Sequence, residues 1–125
     1  MTASESLSKI QFDQYGDHQI GGDEIDERQG IVSRAVGSRH VDFAKQPLQE
    51  FHPDDLTITQ RYLWKEKHEG ARAATGPMPP VDVVKVGDTH YLRDGHHRVD
   101  LARDRGQRVQ GRVLDAALPW SKAQT

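Results

Sequence analysis

Between Val81 and Gly106 the spacing of apolar residues changes from the two-residue period of a strand to the 3.6-residue period of a helix. The run VDVVKV (81–86) is β-branched, Gly87-Asp88 marks a tight turn, and THYLRD (89–94) supplies a second strand, so 81–94 reads as a hairpin. Asp94-Gly95 marks another turn. HHRVDLARDRG (96–106) then carries Val99, Leu101 and Ala102 at helical spacing, and Gly106 closes it. VQGRVLDA (109–116) returns as a strand, with Val109, Gly111 and Val113 on one parity and Gln110, Arg112 and Leu114 on the other. Hairpin, helix and return strand predict a compact α+β fold, a small α/β unit in which the hairpin feeds the helix.

The remaining chain reads less sharply. Its 125 residues suffice for one core. We expect a flexible arm over 1–20, one domain over 21–120 with Trp120 packed back on it, and a tail over 121–125. IVSRAV (31–36) reads as a short strand leaving through Gly37-Ser38, and 42–55 as a loop with short turns. A helix is expected from Thr57 to about Glu69, presenting Ile58, Tyr62, Leu63 and Trp64, capped by Asp54 or Asp55 and ended by Gly70. ARAATGPMPP (71–80) is then a loop with a stiff, extended end.

Composition removes several classes of chemistry. The chain has no cysteine, hence no disulfide framework, thiol nucleophile or thiolate-held metal. No run approaches the roughly 20 apolar residues of a membrane span, and the first residues lack a basic region followed by an apolar one, so a cytoplasmic protein without membrane contact is expected. The net charge of −2 is unevenly divided: residues 1–60 hold 11 acids and 5 bases, residues 61–125 hold 12 bases and 8 acids. Six arginines lie between Arg93 and Arg112. This balance suits phosphate on a small ligand better than a long polyanion.

The densest polar chemistry is Asp94-Gly95-His96-His97-Arg98, where a strand turns into a helix. Unpaired N–H groups and the positive end of the helix dipole converge at such a turn. Gly95 permits close backbone approach, and Arg98 offers paired donors. The construction is that of an anion site. His96 and His97 add donors near neutral pH and are the expected catalytic pair for proton exchange with a phosphoryl oxygen. The same residues also suit a plain capped turn, with Asp94 as the cap. A zinc reading of His90, Asp94, His96 and His97 is disfavoured, because adjacent helical histidines diverge by about 100°. Nucleotide-binding glycine loops of the Gly-x-Gly-x-x-Gly or Gly-x-x-x-x-Gly-Lys type do not occur. Weaker candidates are Gly21-Gly22, Ser38 with Arg39 for reaching a phosphate, and the acids Asp23, Glu24, Asp26, Glu27, Asp42 and Asp94 for magnesium or base chemistry.

The runs Pro80–Asp88, Tyr91–Arg98 and Ala102–Gly106 resemble the ParB/sulfiredoxin superfamily, closest to its small bacterial ParB-like members with an Asp-Gly-His-His-Arg signature. The resemblance covers 79–115, with a weaker likeness from Ile31 through Gly37-Ser38-Arg39 to Asp42-Phe43. It implies a helix whose first turn binds nucleotide phosphates through Asp94, Gly95, His96, His97 and Arg98, with Ser38 and Arg39 nearby. Sulfiredoxins place a reactive cysteine where this chain has His96, which excludes their activity. Partition proteins bind CTP through a Gly-Glu-Arg-Arg type motif and add a helix-turn-helix domain, which this sequence does not show. A third branch phosphorylates free serine with ADP or ATP, and no acid here aligns as its base.

The resulting expectation is a nucleotide-binding protein, a phosphotransferase or nucleoside-triphosphate hydrolase, taking ATP, ADP or CTP with magnesium as the accompanying ion. One alternative is a nuclease or DNA-binding module using the same phosphate site. Another is a non-catalytic scaffold or regulatory domain. A homodimer is compatible with all three.

Overall fold

The computed structural model describes residues 11–37, 40–74 and 76–117. Its elements are β1 (Asp17–Gln19), α1 (Glu24–Val36), β2 (Leu48–Phe51), β3 (Tyr62–Trp64), α2 (Lys65–Ala73), β4 (Val81–Val86), β5 (Thr89–Asp94), α3 (His96–Asp104) and β6 (Val109–Asp115). Short 3₁₀ turns at Phe43–Lys45 and Pro53–Asp55 flank β2. The main sheet has the order β2-β6-β4-β5, and β1 pairs with β3 in a separate antiparallel ribbon.

The hairpin, helix and return strand form the centre of this α+β domain. β4 and β5 are antiparallel, while β6 lies parallel to β4 after the crossover through α3. Alternation then divides the sheet between two apolar layers. Val81, Val83, Val109 and Val113 face α3, where they pack with Phe51, Leu56, Leu92, Val99 and Ala102. Val84 and Leu114 face α1, packing with Val32 and Phe43. Gly111 leaves room for this arrangement, since a Cβ there would lie 2.8 Å from Val83 and 2.9 Å from Phe51.

Three expectations are corrected. Residues 31–36 belong to α1 instead of a strand: Ile25 and Val32, two turns apart on one face, are buried, and the acids and arginines of the helix point elsewhere. The helix expected from Thr57 begins at Lys65, and its expected terminator Gly70 lies inside α2. Residues 57–64 are extended instead. Thr57 bridges Tyr91 beside β5, and Tyr62–Trp64 pair with Gln19–Asp17. Their β-branched and aromatic side chains fit that state. The segment 42–55 also contains a strand, because Leu48–Phe51 pair with Arg112–Val109 at the sheet edge. Asp17–Gln19 form the short strand that pairs with Tyr62–Trp64. Trp120 and the tail at 121–125 lie outside the described residues, as do 1–10. No described helix is long and apolar enough to cross a membrane.

Candidate anion-binding site

The turn from β5 into α3 is set by two backbone features. A register shift at Asp82/Val83 places Asp94 opposite Asp82 and Leu92 opposite Val83, leaving Arg93 as a bulge residue. Gly95 then takes φ 107° and ψ 24°, and a Cβ there would collide with Val81. Glycine alone fits this step. Gly95 is also the N-cap of α3, and no side chain caps the helix. Asp94, expected as a capping residue, instead lies 3.7 Å from the Arg98 guanidinium.

His96 opens the helix and is buried, with 4% of its surface exposed. Its Nε2 accepts the backbone N–H of Thr59 at 3.0 Å, while Nδ1 is buried without a partner among the described residues. Burial, with the neighbouring His97 second, lowers its pKa to about 4. The imidazole is therefore neutral between pH 6 and 8. Thr59 is itself anchored, as its Oγ1 donates to the Leu92 carbonyl at 2.5 Å.

His97 is held in a parallel way. Its Nε2 accepts the Trp64 N–H at 2.9 Å, and its ring stacks on the Trp64 indole at 5.8 Å and 22°. Lys67 Nζ sits 5.0 Å from the same indole. Burial lowers the His97 pKa, helped by the charge of Lys67. Arg98 donates from Nη1 to the Pro80 carbonyl at 2.6 Å and the Pro79 carbonyl at 3.3 Å. Its guanidinium thus fastens the proline-rich segment to α3.

These residues line one side of a cavity of about 480 Å³. Asp94, Gly95, His96, His97 and Arg98 meet there with Trp64 and Lys67 from the β3–α2 junction, Met78 and Pro79 from the proline-rich segment, and Arg105 beyond α3. The helix N-terminus, Lys67, Arg98 and Arg105 all favour negative charge. Trp64, Met78 and the prolines give an apolar wall on the scale of a ring.

The chain brings together five of the seven expected site residues. Ser38 and Arg39 lie outside the described residues. Of the six acids considered for magnesium or base chemistry, Asp94 lines the cavity and four others are engaged elsewhere: Asp23 and Asp26 pair with Arg61 at 3.4 Å and 2.7 Å, Glu24 accepts the Gly22 N–H at 2.9 Å, and Asp42 caps the turn at Ala44. His90 packs its ring against Phe51 at 5.0 Å. Among the described residues no group of three histidine, aspartate or glutamate side chains is arranged to hold a metal. Sequence reasoning missed Thr59, Trp64, Lys67 and Arg105. Thr59 contributes a backbone N–H, which leaves no side-chain signature; Trp64 contributes both its N–H and its indole, and Lys67 and Arg105 were legible only as part of the basic second half.

No protein-family model matches the sequence, and no curated protein matches it.

Proposed function

We propose that this protein binds the phosphate of a nucleotide at the N-terminus of α3. The observation that carries the reading is the N-terminus of α3, which no side chain caps and which opens into the cavity shared by Lys67, Arg98 and Arg105. Lys67, Arg98 and Arg105 supply the cations, and the indole of Trp64 supplies a face for a base. The resemblance to the ParB/sulfiredoxin superfamily supports the same assignment. Phosphoryl transfer or nucleoside-triphosphate hydrolysis is the associated chemistry we propose, with ATP, ADP or CTP as the ligand and magnesium as its companion ion. His97, with its Nε2 committed to Trp64, and His96, with its Nε2 committed to Thr59, act here as donors and supports ahead of any role as bases.

Calorimetric titration with ATP, ADP, CTP and GTP, each with and without magnesium, tests the reading. Binding of at least one nucleotide at sub-millimolar concentration is expected. No heat at millimolar concentrations of any of them contradicts it. The nuclease or DNA-binding alternative has one specific observation in its favour, the half-exposed Trp64 beneath Lys67, a pairing suited to stacking an unpaired base. It predicts tighter, steeply salt-dependent binding to single-stranded oligonucleotides than to mononucleotides.

A further inference from the structure

We propose that α2 is a detachable cover on the cavity: one buried histidine and a ladder of ion pairs hold it to α3 in place of apolar packing, and it comes away from α3 on mild acidification. That the cover regulates phosphate binding rests on the reading above; its detachment does not.

The three helices are held differently. α1 buries Ile25 and Val32, and α3 buries Val99, Leu101 and Ala102. In α2 the one buried residue is His68. Its only apolar side chains are Ala71, half-buried, and Ala73, exposed. Apolar area removed from water, the main force that docks a helix, is therefore small here. Neither nitrogen of the buried His68 ring has a hydrogen-bond partner among the described residues, a deficit that water removes when the helix detaches. What remains is polar. His68 Nδ1 lies 3.8 Å from Asp100, Arg72 pairs with Asp104 at 3.2 Å one turn further on, and Arg105 donates to the Arg72 carbonyl at 3.4 Å. Desolvation offsets much of the attraction in such pairs. A nine-residue helix with Gly70 inside it does not keep its shape alone, so detachment and unwinding go together.

α2 forms part of the cavity wall. Lys67 and Ala71 line it together with Leu101 and Arg105. Trp64, the N-cap of α2, stays paired with Asp17 of β1, which anchors the start of the helix. Detachment opens the wall and withdraws Lys67. The pH response originates in His68. Facing it are Asp100 and Asp104 of α3, Arg103 beside Asp100, His97 in the first turn of α3 and, across the Phe12 ring, His18 of β1. Lys67, Glu69 and Arg72 share its own helix. Burial outweighs the attraction of Asp100 and lowers the His68 pKa, so the docked ring stays neutral where the free ring, at its ordinary 6.5, takes a proton. Acid therefore favours the detached state. Asp100, whose pKa burial raises, pulls the other way only as it gains its own proton.

Amide hydrogen exchange of the full chain at pH 7.5 and pH 5.5, expressed as protection relative to an unstructured chain, reads the cover directly. Residues 69–73 should be less protected than α1 and β4 at both pH values, and their opening should be insensitive to urea below the unfolding transition. A ring that is neutral when docked and has a pKa of 6.5 when free shifts the equilibrium about tenfold between these pH values, so protection of 69–73 should fall about tenfold. His68→Leu should raise that protection and remove its pH dependence. Arg72→Gln should lower it at both pH values and keep the dependence. The proposal is overturned if 69–73 are as protected as α1 and β4, or if His68→Leu keeps the pH dependence. It is equally overturned if acidification strengthens protection, which would mean that a protonated His68 locks onto Asp100. ADP at millimolar concentration should raise the protection of 69–73, because the ligand needs the closed wall. Opening as described that ADP leaves unchanged supports the cover and counts against the phosphate reading.

Discussion

Gly95 occupies a backbone conformation with φ 107° against the wall formed by Val81, and both constraints bear on one position. Gly95→Ala is expected to lower stability by about 2 kcal/mol, combining left-handed strain with displacement of a core valine. Urea denaturation measures it, and a wild-type midpoint would show that the turn does not need glycine. His96 gives a second prediction, in pH. Its pKa falls from 6.5 in the unfolded chain to about 4 in the folded one, so between these values the unfolded state binds the extra proton. Stability should therefore decline as pH falls from 6.5 toward 4, by about 3 kcal/mol from this ring. His68, buried between α2 and α3 with its pKa lowered mainly by burial, adds loss of the same sign. Asp82 and Asp100 act oppositely: burial raises their pKa values, so the folded state takes up their protons first and gains stability on acidification. His96→Gln should flatten the decline. An equally steep decline in that variant would place its origin elsewhere.

At the scale of elements, α1 is the sharpest test of the core. Ile25 is fully buried in a helix whose first turn is acidic, and Ile25→Ala should cost about 3 kcal/mol, read from urea or thermal unfolding. A loss below about 1 kcal/mol would mean that α1 is not docked as described. This helix was hidden in the sequence because Ile25 and Val32 are separated by glutamate, aspartate, arginine and Gly30, and its remaining anchors are polar. Gln29 donates to the Thr59 carbonyl at 2.8 Å and Arg28 to the Ile58 carbonyl at 3.3 Å. Such contacts exist only after the partner strand has folded beside the helix. The hairpin and α3 were legible because their signals are local: β-branched alternation, a Gly87 turn, and apolar spacing after Gly95. Residues 57–64 misled for the opposite reason. Ile58, Leu63 and Trp64 fit a helical face as readily as a strand, and pairing with β1 and β5 decided between them.

At the scale of the molecule, the site is a junction of segments distant in sequence. α3 brings the histidines, the strand-like segment at Thr59 and the β3–α2 junction at Trp64 hold them, and Arg98 ties the proline-rich segment across one side. Coupling of these parts predicts that Arg98→Ala both weakens anion binding and loosens residues 76–80. Arg98→Lys should restore part of the affinity, through charge, and less of the loop order, because lysine lacks the planar fork. Calorimetry gives the first quantity and hydrogen exchange of the segment the second. Unchanged affinity in Arg98→Ala would confine that residue to a structural role.

The most direct test of phosphate binding at α3 is an amide ¹H–¹⁵N titration of the full chain with ADP. The largest saturable shifts should fall on Gly95, His96, His97 and Arg98, with the indole resonance of Trp64 moving in step at the same midpoint. Saturable shifts confined to another face of the molecule, or no shifts at millimolar ADP, would contradict the account.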